Sequence, residues 1–189
     1  MEECISVFDM LKIGVGPSSS HTLGPWRAAE RFLGELRKGK LLPAVSRIKI
    51  DLYGSLSLTG KGHATDLAVM LGLSGQDPEY IPVENIDVII KSIESKNEIN
   101  LGNEKTIPFY FFQDIVFNKD FLPFHANGLK FTAYKVDDSK YESTFYSIGG
   151  GFVVKEERTN AKQNIAIKCA FPFPIQNAEE LLQYTISQN

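Results

Sequence analysis

The period of the apolar residues changes along the chain, and the order of the changes limits the folds open to it. Leu23, Trp26, Ala29, Leu33 and Leu36 recur at steps of three or four, the stripe of one helix face. Pro25 is tolerated only in a first turn, so this helix starts near residues 20–22, and Gly39 and Pro43 end it. Residues 46–53 alternate instead. Ile48, Ile50 and Leu52 face one side and Arg47, Lys49 and Asp51 the other, which predicts a strand with one solvated face. Residues 64–73 read as a short buried helix. From Asn85 the pattern predicts strands, at 86–93, 106–112, 114–117, 129–134, 141–148 and 152–155. A short apolar element at 5–13 precedes all of this. A polar loop at 155–164 follows it, and Asn177 caps a closing helix over 178–184. Helix and strand pairs followed by a run of strands specify an α+β domain, with helices packed on a mixed or antiparallel sheet. A length of 189 residues suits one such domain, 1–189.

Charge and cysteine content narrow the class further. Twenty basic against 23 acidic residues leave a net charge of −3, without the basic excess of a nucleic-acid or membrane-surface protein. No run of apolar residues is long enough to span a bilayer. The acidic start, Met1-Glu2-Glu3-Cys4, lacks the basic flank of a signal peptide, so a cytoplasmic protein with reduced thiols is expected. Cys4 and Cys169 are the two cysteines; they form no CxxC pair and cannot supply the four ligands of an iron–sulfur cluster.

The residues able to do chemistry gather at glycine- and serine-rich turns. Ser18, Ser19, Ser20, His21 and Thr22 stand between Pro17 and a helix start. A helix start offers unpaired N–H groups and partial positive charge, so this turn is a candidate carboxylate or phosphate site; one serine acting as a cap, with solvated neighbours, is the plainer alternative. Gly60-Lys61-Gly62-His63 forms a second such turn, whose glycines would let the backbone approach a ligand. Asp66 either orients the His63 imidazole or suits the first turn of a helix. Lys61, as a nearby cation, would lower the His63 pKa and keep that ring neutral, as a base must be. His125 precedes Asn127-Gly128, a tight-turn signal, and reads first as a turn histidine. Gly149, Gly150 and Gly151 lie between strands, where three glycines signal a bulge or a close approach.

Three segments carry a resemblance. Gly16-Pro17-Ser18-Ser19-Ser20-His21-Thr22-Leu23-Gly24-Pro25, Gly60-Lys61-Gly62-His63-Ala64-Thr65-Asp66 and Ser147-Ile148-Gly149-Gly150-Gly151 together resemble the beta domain of bacterial iron–sulfur-dependent L-serine dehydratases. The likeness runs from about Val7 to Tyr184, and Gly24-Pro25-Trp26-Arg27-Ala28-Ala29 looks like the single-chain form. Ala126-Asn127-Gly128-Leu129 departs from the family's Pro-Asn-Gly-Met.

The resemblance implies that L-serine loses water and then ammonia to give pyruvate. It implies a [4Fe–4S] cluster ligated by a separate alpha domain, with no metal ligand in this chain, and a homodimer of the complete enzyme. It implies a fold like the allosteric substrate-binding domain of some phosphoglycerate dehydrogenases. It also makes residues beyond about 185 the start of a linker to the alpha domain, and the chain alone inactive. Within that frame His63 is expected as the base and His21 as a binding or orienting group. Ser18, Ser19, Ser20, Thr22, Lys61, Asp66, His125, Asn127, Gly149 and Gly150 would receive the substrate. The rival reading is a non-catalytic module that binds a carboxylate or phosphate as an effector, complete within this chain. A domain that only supports assembly would leave His21 and His63 far apart.

Overall fold

The computed structural model describes residues 14–156 together with Glu179, Leu182 and Gln183. The chain divides into two units, one of residues 7–157 and one of 1–6 with 158–189. In the second, Glu179, Leu182 and Gln183 are helical, in the segment where a closing helix is expected. The apolar element at 5–13, both cysteines and most of the polar loop at 155–164 lie outside the described residues.

In the larger unit, Ser19–Leu23 forms one π-helical turn that runs into helix α1, Gly24–Lys38. Pro25 lies in the first turn of α1, where its missing N–H costs no intrahelical bond. The expected stripe is the buried one: Leu23, Trp26, Ala29, Leu33 and Leu36, joined by Phe32. Gly39 closes the helix and donates its N–H to the Glu35 carbonyl (2.9 Å). Strand β1, Val45–Leu52, follows, and then helix α2, Thr65–Leu73, buried except for a half-exposed Leu67. Gly72 lets α1 and α2 meet closely, because a Cβ there would lie 2.6 Å from the Trp26 carbonyl oxygen.

Two sequence expectations are corrected here. Residues 86–93 are not a strand but the middle of helix α3, Val83–Lys96. Isoleucine favours strands, and four of them suggest one. Their spacing is helical, however: Ile86, Ile89, Ile90 and Ile93 turn to the core while Asp87, Lys91 and Glu94 are exposed. Residues 106–112 hold a shorter strand than expected. Strands β2, Glu98–Leu101, and β3, Lys105–Pro108, pair as an antiparallel ribbon, and Phe111–Asp114 is a single helical turn. Asp114 ends that strand because its fully buried carboxylate accepts from the Tyr110 N–H (2.7 Å) and the Arg47 guanidinium (2.7 Å), curling the chain around it.

Strands β4, Ile115–Phe117, β5, Gly128–Lys135, β6, Lys140–Gly149, and β7, Phe152–Lys155, complete a five-stranded sheet in the order β4-β1-β5-β6-β7. The β1–β4 pair is parallel, with Ile50 opposite Ile115, and the other pairs are antiparallel, so the sheet is mixed and the α+β class holds. Helix α1 packs on this sheet. Phe32 stacks on Phe131 with ring centroids 4.9 Å apart, and burial of each such side chain contributes about 1.5–3 kcal/mol. Glu35, on the same helix, accepts hydrogen bonds from Tyr141 (3.0 Å), Ser143 (2.6 Å) and Lys155 (2.6 Å) on β6 and β7. This clamp fixes the last turn of α1 on the start of β6 and the end of β7.

Candidate active site

The serine turn is held from inside. Gly16 has a φ of 118°, and a Cβ there would strike the Thr22 methyl at 2.3 Å, so glycine is required. Ser18 is extended and its hydroxyl accepts from the His21 N–H (3.2 Å), the cap that a helix start calls for. Ser18 and Ser20 hydroxyls are 3.4 Å apart. Ser19 is exposed; its carbonyl accepts from the Gly24 N–H, but its hydroxyl makes no hydrogen bond among the described residues and is open to a ligand. Ser18 and Ser19 line a cavity of about 130 Å³ together with Gly150.

His21 follows, half-buried. Its Nδ1 is 2.8 Å from Ser20 Oγ and its Nε2 is 2.8 Å from Ser55 Oγ. A neutral imidazole offers one donor and one acceptor, so one hydroxyl donates and the other accepts. Burial, and then the charge of neighbouring His63, lower the His21 pKa below the ordinary histidine value. The neutral ring is thereby favoured.

The second loop brings His63 to the same place. Gly54 turns the chain with a φ of 55°, where a Cβ would meet the Ala126 carbonyl at 2.2 Å. A helical turn, Ser55–Leu58, and a 3₁₀ turn, Gly60–His63, lead into α2 through Ala64 in the left-handed region. His63 Nδ1 lies 3.0 Å from the Thr59 carbonyl oxygen. A carbonyl only accepts, so Nδ1 carries the hydrogen and Nε2 presents a lone pair in the neutral ring. The two imidazoles stand with centroids 4.9 Å apart, tilted by 37°. Backbone ties cross between the loops: Thr22 Oγ1 donates to the His63 carbonyl (2.7 Å), and Thr65 Oγ1 donates to the His21 carbonyl (2.5 Å).

The third loop joins through Ser147. The buried Ser147 hydroxyl donates to the Ser20 carbonyl (2.7 Å). The Asn127 side-chain amide donates to the Ser147 carbonyl (3.1 Å), and the Asn127 N–H donates to His125 Nδ1 (3.1 Å). Asn127-Gly128 is therefore not the expected tight turn. Neither residue has a positive φ, and Gly128 opens β5. The positive φ values belong to Gly149, Gly150 and Gly151, at 99°, 58° and 76°, which turn β6 into β7 beside a bulge.

Of the residues singled out from sequence, Ser18, Ser20, His21, Thr22, His63, His125 and Asn127 thus belong to one set linked by hydrogen bonds and ring contact, and Ser19 and Gly150 line the adjoining cavity. Lys61 and Asp66 are placed differently. The Lys61 ammonium lies 5.2 Å from the centre of the Phe117 ring. Asp66 is buried and accepts from the Leu67 N–H (3.0 Å), while the Thr59 carbonyl orients His63. Burial raises the Asp66 carboxyl above the ordinary range, against backbone hydrogen bonds and the pull of Lys61. Gly62 has open space where a Cβ would stand. Ser55, Thr59, Thr65 and Ser147 are not among the site residues expected from sequence, although Thr65 and Ser147 stand in the segments that carry the resemblance. Each lies in or beside a glycine-rich turn, but its partner is fixed only by the fold. Among the described residues, no three His, Cys, Asp or Glu side chains gather as metal ligands.

A family model described as serine dehydratase beta chain matches residues 6–158. The chain is 42% identical over 181 residues to L-serine dehydratase 1 of Escherichia coli, a match that covers 95% of this chain and 39% of that protein. It is 42% identical to L-serine dehydratase of Streptomyces coelicolor, over 95% of this chain and 40% of that one. With L-serine dehydratase of Helicobacter pylori it shares 37% identity, over 94% and 39% respectively. The chain thus spans about two fifths of the length of these relatives.

Proposed function

This chain belongs to the serine dehydratase beta-chain family, and from that premise we propose that it forms the beta part of an enzyme that converts L-serine to pyruvate and ammonia. Loss of the Cα proton and the β-hydroxyl gives an enamine, which tautomerises to an imine; water then displaces ammonia. The observation that carries the reading is the histidine pair. His63 is anchored at Nδ1 and offers the Nε2 lone pair, and its ring centre stands 4.9 Å from that of His21, a ring held toward neutrality. That is the arrangement of a base able to take the Cα proton near neutral pH. His21, bonded at both nitrogens to Ser20 and Ser55, orients hydroxyls. Ser19, beside the cavity, receives the substrate carboxylate, with Gly150 opposite. His125 and Asn127 belong to the same bonded set and Gly149 turns the end of β6 beside it, while Lys61 lies against Phe117 and Asp66 accepts from the Leu67 N–H.

The [4Fe–4S] cluster that the resemblance implies does not fit the donors of this chain. A cluster takes four thiolates, and the whole sequence has two cysteines. We assign the cluster to the companion alpha domain of the enzyme. A homodimer of the complete enzyme and a cytoplasmic site of action belong to the same reading. Among the described residues, no helix is long and apolar enough to cross a membrane.

The test joins this chain anaerobically to the remainder of the dehydratase and assays pyruvate from L-serine. His63→Ala lowers kcat by about a hundred- to ten-thousand-fold, the usual contribution of a general base, with the cluster spectrum unchanged. A parental kcat in that variant would remove His63 from the mechanism.

A second reading rests on the cavity beside Ser18 and Ser19, which this chain lines by itself. As an effector site it would bind a carboxylate without the companion domain. Calorimetry of the chain with L-serine, set against kcat and KM of a Ser19→Ala enzyme, separates the two: an effector site binds serine alone and leaves KM at the active site unchanged.

A further inference from the structure

Each histidine is tethered by a threonine that belongs to the other loop. Thr22 follows His21 in sequence, yet its hydroxyl donates to the carbonyl of His63 (2.7 Å). Thr65 lies two residues after His63, yet its hydroxyl donates to the carbonyl of His21 (2.5 Å). Both threonines are buried, at 3% and 0% exposure. Neither hydroxyl reaches the cavity beside Ser18 and Ser19. The two bonds run in opposite directions between the same two loops, so they fix both the separation and the relative slide of the backbones that carry the rings. One bond alone would leave a hinge.

Other features support a purpose beyond packing. A β-branched side chain is stiff at χ1, so each hydroxyl is aimed by its own backbone. A Cβ at residue 60 would stand 3.1 Å from the Thr65 hydroxyl oxygen, so glycine there leaves the hydroxyl the room it occupies. The carbonyl of His21 also belongs to the middle residue of the π-helical turn that runs into α1. A π-turn leaves carbonyls off the regular ladder, and such turns cluster at functional sites.

We propose that Thr22 and Thr65 are positioning residues that set the geometry of the His21–His63 pair by cross-tethering their backbones. Thr22, expected from sequence among the substrate-binding residues, thereby acts through His63. This inference rests on the catalytic reading only for its kinetic consequence; the tether itself is a property of this chain.

The experiment uses Thr22→Val and Thr65→Val, which keep shape and remove the hydroxyl, and Thr22→Ser and Thr65→Ser, which keep the hydroxyl. In the full chain, the midpoints of His21 and His63 are read by NMR titration of the imidazole carbon-bound protons. In the complete dehydratase, kcat and KM for L-serine are measured, with melting temperatures for every variant. The valine variants move the His21 midpoint toward the ordinary histidine value as the rings part. They lower kcat by about a hundredfold, the scale of a small misplacement of reacting groups, with little change in KM. The serine variants restore both readouts. A merely structural threonine would lower the melting temperature and leave the midpoints and kcat parental, and that result overturns the proposal. Shifted midpoints with parental kcat would support the tether and overturn the catalytic role of the pair, so the two failures are distinct. A serine variant no better than its valine counterpart would overturn the assignment to the hydroxyl.

Discussion

Gly24 lies so close to Ser147 that a Cβ at residue 24 would stand 2.0 Å from the serine hydroxyl oxygen and 2.8 Å from its Cβ. The first residue of α1 thus rests on the end of β6, and the Ser147 hydroxyl uses the contact to reach the Ser20 carbonyl. Gly24→Ala should cost about 1–3 kcal/mol by overpacking. Adding Ser147→Gly should relieve the clash and recover part of that loss. Urea midpoints for the single and double variants check it, and an unchanged midpoint in Gly24→Ala would refute the contact.

Ser18 and Ser19 are neighbours with different duties. Ser18→Ala removes the cap on the His21 N–H and should lower stability by about 1 kcal/mol. Ser19→Ala removes an exposed hydroxyl that bonds nothing among the described residues, so stability should stay parental while KM for L-serine rises in the complete enzyme. Thermal melts paired with steady-state kinetics read both. A raised KM in Ser18→Ala alone would reverse the assignment.

The lowered His21 pKa makes stability depend on pH, and the sign follows from proton counting. Below the ordinary value of 6.5 the unfolded chain takes up a proton that the folded chain resists, because burial and His63 oppose it. Stability therefore rises with pH up to 6.5 and is flat above it as far as this group is concerned. His21→Gln should flatten the slope in that window. Denaturation free energies measured across it would show no difference in slope if His21 titrated normally.

Glu35 has the same sign in a more acidic window. Burial alone would raise its carboxyl, but hydrogen bonds from Lys155, Ser143 and Tyr141 outweigh that and hold it below the ordinary value of 4.5. Its contribution is fully present above that value and is lost as pH falls through the depressed one. Glu35→Gln should cost about 1–3 kcal/mol at neutral pH and should lose less on acidification than the parent. Urea titrations in acid and at neutrality test both parts.

How far the site could be read in advance depends on where its bonds run. Ser18, His21 and His63 were visible because glycine and serine crowd around them in sequence. Ser55 and Ser147 were not, since a serine gains meaning here only when the fold sets it beside His21 or the Ser20 carbonyl. Lys61 and Asp66 looked like partners of His63 because they are close in sequence, yet Lys61 faces Phe117 and a backbone carbonyl orients the ring. The helix across 86–93 is hidden for a different reason: isoleucine favours strands by composition, but a helix packed by one stripe on a core obeys isoleucine spacing.

The hydrogen bond from Ser147 to Ser20 closes a span of 127 residues. On a ribosome adding about 5–20 residues per second, Ser147 is made roughly 6 to 25 seconds after Ser20. Through that interval the serine turn lacks the strand end that braces it, and for most of it the loop of Ser55 lacks the Ala126 carbonyl it bonds. The histidine loops therefore remain unbraced while α1 and β1 can already form, and are locked only when β6 pairs with β5. Closure of the histidine site would be a late event in synthesis, arriving with the sheet rather than with the histidine loops themselves.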